Sequence, residues 1–246
     1  MIEVYIAAST QDKNLGLGDY GNEQDRMHQL ADKVKYYIEN GGHPFKVFRN
    51  EKNWTLKQTC DHCVSSGAVL FIDNHTNAGS PTAQGPEVFY HGERGEKSTS
   101  FEMASILYEN IMAIYPLKGR GVKPDTSLYK NGLSVIRNTV AAACLIEHVF
   151  HTNAFDVAQE NFVPAFFLNN INLFAKAEAQ AVYMYFGLVW TDPETKTLFP
   201  QDNAFNYLNK NGVRVFERRY DEPLTRGDGI ELLARLFNRI TGIPRD

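Results

Sequence analysis

Three polar clusters in this chain end apolar runs, and each carries side chains able to bind a cation or move a proton. Ser9-Thr10-Gln11-Asp12-Lys13-Asn14 follows the run IEVYIA, and Asp73-Asn74-His75-Thr76-Asn77 follows VLFI. Glu147 stands inside LIEHVFHTN, flanked by His148 and His151, and a fourth acid, Glu23, opens an amphipathic segment. In open α/β sheets ligands sit beyond the carboxyl ends of the strands. Histidine and carboxylate groups from separate strand ends, brought into one cleft, can hold a zinc ion and leave a position open to water. A further glutamate can then act as general base toward that water. Glu147 is the candidate, since burial at a strand end disfavours its charged form and raises its pKa. Plainer roles stand beside these. His75 could be a hydrogen-bonded structural residue, and Glu23 suits the positive N-terminus of its own helix. Glu147 is harder to place structurally, because an unpaired carboxylate in an apolar strand is costly.

The elements that must position these residues can be read from periodicity. IEVYIA (2–7) alternates and then runs apolar, as a strand does, and STQDKNLGLGDYGN is a Gly- and Asn-rich loop. EQDRMHQLADKVKYYIEN places Met27, Leu30, Ala31, Val34 and Ile38 at helical spacing, and Gly41-Gly42 stops it. FKVFR, AVLFID, EVFYH, SVIRN and AACLIEHVF read as strands. TLKQTCDHCVSS, SFEMASILYENIMAI, AFDVAQEN and VPAFFLNNINLFAKAEAQAVYMYFG read as helices. Strands alternating with helices at close spacing predict an α/β fold: a mixed, largely parallel twisted sheet with helices on both faces. Past Trp190 the chain turns polar, and residues 189–200 read as a linker to a small helical C-terminal module, 201–246. Some 50 residues are too few for a robust core, so this piece is expected to lean on the main domain or on another copy of itself.

Composition narrows the function. With 246 residues, 43% hydrophobic and 22% charged, the chain can build a sizeable core. A net charge of −4 without a basic stripe argues against nucleic acid as partner. No run approaches the ~18 apolar residues of a membrane helix, and MIEVYIAAST reads as a strand opening, unlike a secretory leader. Three cysteines do not make a disulfide scaffold, and the lone Cys60-x-x-Cys63 pair, inside a helix, is read as packing.

Taken in order, the motifs resemble the zinc-dependent N-acetylmuramoyl-L-alanine amidases of the Amidase_3 family. YGNEQDRMHQLADKVKYYIENGGHPFKVFRN is similar to that family's glutamate-led helix followed by G…V…R. FIDNHTNAG resembles its strand ending in H-x-N-A, QGPEVFYH its G-T-E-x-F-Y strand, RGVKPDTSLYKN its R-G-x-K segment, and CLIEHVFHTNAFD its strand ending in E-x-x-F-x-x-N. The resemblance spans about residues 1–188 and implies an Amidase_3-like catalytic domain over that range. It implies Zn2+ as cofactor, Glu23 and His75 as metal ligands, and Glu147 as the catalytic residue. One departure stands out. The family opens with P-G-H-G-G, whose histidine is the first metal ligand, whereas this chain has Ala8-Ser9-Thr10-Gln11-Asp12. Thr10 or Gln11 falls at that ligand's position, and Gln11 is taken as the third metal ligand, although zinc favours nitrogen and sulfur over an amide oxygen. Asp12 and His151 are further substitutes. Strand alternation turns His148 away from Glu147, and His28 is expected at the solvent or the helix flank.

The segment AFNYLNKNGV…RRYDEPLTRGDGIELLARLF resembles one S-layer-homology repeat, with Thr225 as cap and Arg226 free to face a ligand. Cell-wall polymer binding, self-association into a homodimer and simple stabilisation are all open to it. The resemblance implies hydrolysis of the amide between N-acetylmuramic acid and the L-alanine of the peptidoglycan stem peptide. The added module suggests a phage or prophage endolysin, made in the cytoplasm without a signal peptide and released to act at the bacterial wall. The rival expectation is a catalytically silent relative that binds peptidoglycan and regulates other proteins. A serine hydrolase has no support, since no G-x-S-x-G is present.

Overall fold

A computed structural model describes residues 1–139, 142–157 and 165–194. The chain divides into two compact units, residues 1–193 and 194–246. The expected C-terminal module, with Thr225 and Arg226, lies outside the described residues, as does residues 195–200 of the expected linker.

The described residues of the first unit form six strands: β1 (Ile2–Ala8), β2 (Phe45–Phe48), β3 (Leu70–Asn77), β4 (Glu87–Tyr90), β5 (Gly121–Pro124) and β6 (Ala142–Phe150). They form one sheet in the order β2-β1-β3-β6-β4-β5. Every neighbouring pair is parallel except β4 with β6. The mixed, largely parallel sheet expected from the sequence is therefore present. The single reversal matters for function, because it brings the first residues of β4 to the edge where β1, β3 and β6 end.

Among the described residues six helices cover the two faces: α1 (Glu23–Glu39), α2 (Leu56–Ser66), α3 (Thr99–Met112), α4 (Ser134–Arg137), α5 (Ala154–Val157) and α6 (Phe166–Tyr185). Strand alternation sorts the core into two layers. Val4, Ile6, Ile72, Cys144 and Ile146 pack with α1, α3 and α6 on one face, while Tyr5, Ala7, Phe71, Phe89 and Leu145 pack with Cys60, Cys63, Val135 and Ile136 on the other. Among the described residues the second layer is covered by the short α2 and the single-turn α4.

Local signals explain most of these elements. Asn22 caps α1 by accepting from the Asp25 amide, and α2 opens with a Thr55–Gln58 capping box and closes on Gly67 in the left-handed conformation at φ 73°. Cys60 and Cys63 are buried in the second layer, where burial pushes their thiols up to about 11 and about 12. That agrees with the packing reading. SVIRN, expected as a strand, is instead the helix α4. Both sides of β6 are already taken by β3 and β4, so no edge remains for it there, and the Arg137 and Asn138 amides bond back to Leu133 and Ser134. Conversely, GVKP within the R-G-x-K segment forms the edge strand β5, which periodicity over four residues cannot reveal. Among the described residues no helix is long and apolar enough to cross a membrane.

Candidate active site

The site lies where β1, β3 and β6 end. Parallel pairing sets His75 of β3 beside Glu147 of β6, and the antiparallel pairing of β6 with β4 sets Glu147 beside Glu87. Register partners point to the same face, so His75, Glu147 and Glu87 form a row across three strands. The β3–β6 register shifts between His75 and Asn77, an irregularity of the kind that re-aims side chains next to active sites. The row opens into a cavity of about 340 Å3 whose lining includes Thr10, Gln11, Asp73, His75, Tyr129 and Glu147.

His75 is held on both ring nitrogens. Its Nδ1 lies 2.8 Å from Glu23 Oε1, and its Nε2 lies 3.1 Å from Asp73 Oδ2. Asp73 precedes His75 by two residues in the strand and therefore shares its face. Glu23, fully buried, reaches the site from the first turn of α1. The Asn14 amide ties the constellation together, donating to Glu23 Oε2 at 2.7 Å and to Gln11 Oε1 at 2.6 Å. Gln11 Nε2 lies 3.4 Å from His75 Nδ1. Glu23, His75 and Gln11, far apart in sequence, are thus brought together.

Electrostatics separates the two acids. Burial opposes charge on both His75 and Glu23. Asp73 and Glu23 outweigh it at His75, whose pKa lies well above the ordinary imidazole value. At Glu23 the His75 hydrogen bond and charge, with Asn14 and Ser9, hold the carboxyl below its usual range. Glu147 goes the other way. Burial pushes it up to about 8; His75 opposes the rise, and Glu23, Glu87 and Asp73 add to it. Its Oε2 has no hydrogen-bond partner among the described residues. One carboxylate is thus held below its usual range against the imidazole, and a second, on the neighbouring strand, is pushed up and has one oxygen without a partner among the described residues.

The donor set admits a divalent cation with one concession. A metal-ligating histidine usually gives its other ring nitrogen to a carboxylate, which fixes the tautomer; Asp73 on Nε2 meets that need and leaves Nδ1 facing Glu23 and Gln11. Among the described residues, however, no three His, Cys, Asp or Glu side chains are grouped to hold a metal. The third donor would have to be the Gln11 amide oxygen, after a flip of a group whose oxygen now accepts from Asn14.

The other candidates separate cleanly. Thr10 lines the cavity, and Asp12 is exposed. His151 spends its Nδ1 on the Thr76 hydroxyl and carbonyl, each at 3.1 Å, and stacks on Tyr20. His148 lies on the face opposite Glu147, as alternation requires: its Nε2 meets Asn74 Oδ1 at 2.6 Å, and its ring packs on Phe167 and Phe174. His28, expected at the solvent or helix flank, is buried. Arg49 lies 3.1 Å from its Nδ1, and burial, then Arg49, pushes it down to about 4. Sequence reasoning passed over Asp73 and Asn14; the spacing Asp-x-His in a strand was the available signal for the first.

The chain belongs to the Amidase_3 family, N-acetylmuramoyl-L-alanine amidase, whose model matches residues 4–161. The solved structures it resembles include the catalytic domain of CwlV, an N-acetylmuramoyl-L-alanine amidase from Bacillus (Paenibacillus) polymyxa var. colistinus. That match has 21% identity and a TM-score of 0.64 over 77% of this chain and 100% of that one. An N-acetylmuramoyl-L-alanine amidase from Clostridium difficile 630 matches at 21% identity and TM-score 0.62, over 76% and 97% of the two chains. The catalytic domain of the CD27L endolysin targeting Clostridia difficile matches at 19% and 0.56, over 74% and 97%. At such identities the likeness speaks for the fold. No curated protein matches the sequence significantly.

Proposed function

We propose that this protein hydrolyses the amide bond between N-acetylmuramic acid and the L-alanine of the peptidoglycan stem peptide. Family membership supports the substrate class. The observation that carries the chemistry is Glu147, raised to about 8 with Oε2 free of hydrogen bonds among the described residues, beside the His75–Glu23 pair. His75 Nδ1, the Glu23 carboxylate and the Gln11 amide oxygen would hold a Zn2+ ion, with Asp73 steadying the imidazole from behind. Such an ion, when bound, polarises the scissile carbonyl and lowers the pKa of water.

The chain's own residues supply the proton transfer. Glu147, at about 8, lies close enough to neutrality to exist in both protonation states. As carboxylate it takes a proton from the attacking water, and as acid it returns that proton to the leaving alanine nitrogen. Its carboxyl faces the cavity beside His75 and Asp73, where substrate and water can reach it. Glu147→Ala should keep the zinc content of protein purified in metal-free buffer and then loaded, yet release at least about a hundredfold less dye from labelled sacculi. Undiminished release would remove Glu147 from this role.

The fold likeness to an endolysin catalytic domain and the C-terminal segment favour an endolysin acting at the bacterial wall, with residues 201–246 as a wall-binding or self-associating module. Deleting residues 190–246 should leave cleavage and weaken adhesion to sacculi; unchanged adhesion would remove the targeting role. The substitution of an amide at Gln11 for the customary imidazole favours a second reading, a silent peptidoglycan binder. Zinc-loaded protein that binds sacculi and releases no dye would establish it.

A further inference from the structure

The edge that carries the catalytic row also carries charges that the hydrolytic chemistry leaves unused. Glu87 begins β4, stands beside Glu147 in register and is 3% exposed. Its Oε1 accepts from Asn77 Nδ2 at 2.7 Å. Its Oε2 meets two cations, Arg120 Nε at 3.2 Å and Lys123 Nζ. One buried carboxylate facing two cations leaves one positive charge over. Neither cation is sequestered, since 41% of the Arg120 and 32% of the Lys123 side chain remain exposed.

Both cations face open space next to the site. They line a cavity of about 520 Å3 together with Asn77, Gly79 and Phe150, and a neighbouring one of about 500 Å3 that adds Lys118. The first shares Leu128 with the 340 Å3 cavity that holds His75 and Glu147. The two cavities are therefore neighbours, with Leu128 lining both. Arg120 is also fixed in place. Its guanidinium lies 5.1 Å from the Phe150 ring centroid, and its backbone amide bonds the Pro86 carbonyl at 2.8 Å. A guanidinium already held by an acid and a ring loses little freedom when it accepts a second anion.

The substrate of the proposed reaction says where that anion would be. The lactyl carboxyl of muramic acid is consumed in the scissile amide, so the free carboxylates of the substrate lie on the stem peptide. We propose that Arg120 and Lys123, braced by Glu87, form a subsite for a free carboxylate of the stem peptide. The inference deepens the amidase reading and rests on it. It makes the protein selective for stem peptides with free carboxylates over peptides whose carboxylates are amidated. Charge-assisted pairing to Arg supplies the discrimination.

The test is calorimetric binding of two probes, N-acetylmuramyl-L-alanyl-D-glutamic acid and its fully amidated form, at low ionic strength. The protein carries Glu147→Gln, so that the probes stay intact. The acid form should bind at least about tenfold more tightly. A Glu87→Gln/Arg120→Gln/Lys123→Gln variant, which leaves no buried charge unpaired, should bring the two affinities to within about twofold. Should that variant not fold, Arg120→Gln and Lys123→Gln alone each leave Glu87 one cation, and each should cut the preference at least about threefold. Equal binding of the two probes, or a preference that survives these substitutions, overturns the proposal. Dye release from sacculi by the unaltered protein reads the amidase activity separately. Cleavage without preference sinks the subsite alone; preference without cleavage supports the subsite and sinks the activity.

Discussion

Glu178→Gln should make this protein more resistant to unfolding at pH 8 than at pH 4.5, relative to the unaltered chain. Glu178 lies on α6, fully buried, where its Oε1 accepts from Asn74 Nδ2 at 3.1 Å. Asn74 also donates to the Ala7 carbonyl and meets His148 Nε2, so this group steadies the residue between Asp73 and His75. Burial pushes Glu178 up to about 8, against the opposing Asn74 hydrogen bond and Arg49 charge. The sign follows from linkage. The unfolded chain releases this proton near pH 4.5, whereas the folded chain keeps it until about 8, so the folded state binds more protons in between. The stability contributed by the neutral acid is complete below 4.5 and is lost as pH rises through about 8. Each tenfold change in proton concentration across that window is worth about 1.4 kcal/mol, which gives a ceiling of roughly 4–5 kcal/mol; relaxation and water entry should leave on the order of 2–3.

Glutamine keeps the acceptor for Asn74 and cannot ionise. Its effect should be near zero at pH 4.5 and should grow to about 2–3 kcal/mol of stabilisation at pH 8.5. Urea unfolding of both proteins at half-unit steps of pH measures the difference. Glu147 titrates in the same window, but it is common to both chains and cancels. A difference that stays flat from pH 4.5 to 8.5 would refute the assignment of Glu178 as a buried neutral acid.

Three further outcomes are expected. Asp73→Asn removes the carboxylate on His75 Nε2 and should weaken zinc binding about 10- to 100-fold in chelator competition, the usual effect of losing such a partner; unchanged affinity would detach Asp73 from the site. Gln11→His places an imidazole 64 residues before His75 in sequence but next to it in space, and should tighten zinc binding at least about tenfold in the same assay; weaker binding would move the third donor elsewhere. Gly85→Ala forces a side chain into a backbone at φ +95°, with its Cβ 2.3 Å from the Lys118 carbonyl oxygen, and should cost about 1–3 kcal/mol in urea unfolding; a neutral result would show that this turn yields freely.

Much of the fold is legible in the sequence because its signals are local. Apolar runs mark β1, β3 and β6, helical spacing from Met27 to Ile38 marks α1, and TLKQTCDHCVSS marks α2. The ordered motifs also point to Glu23, His75 and Glu147. SVIRN shows the limit. Five residues fit a strand or a helical turn equally well, and the amide bonds of Arg137 and Asn138 back to Leu133 and Ser134 decide for the helix.

What the chain alone determines is which residue types stand at strand ends and which face of a strand they share, since alternation is a property of the backbone. Pairing between strands is not. Whether Glu147 sits beside His75, and whether Glu87 sits beside Glu147, depends on the order of the sheet and on the reversal of β4. Only tertiary structure places Glu23 on one side of the imidazole and Asp73 on the other, and it alone gathers the burial and the neighbouring carboxylates that push Glu147 up. Solvation and Coulomb energy depend on distance in space, and separation along the chain does not fix that distance.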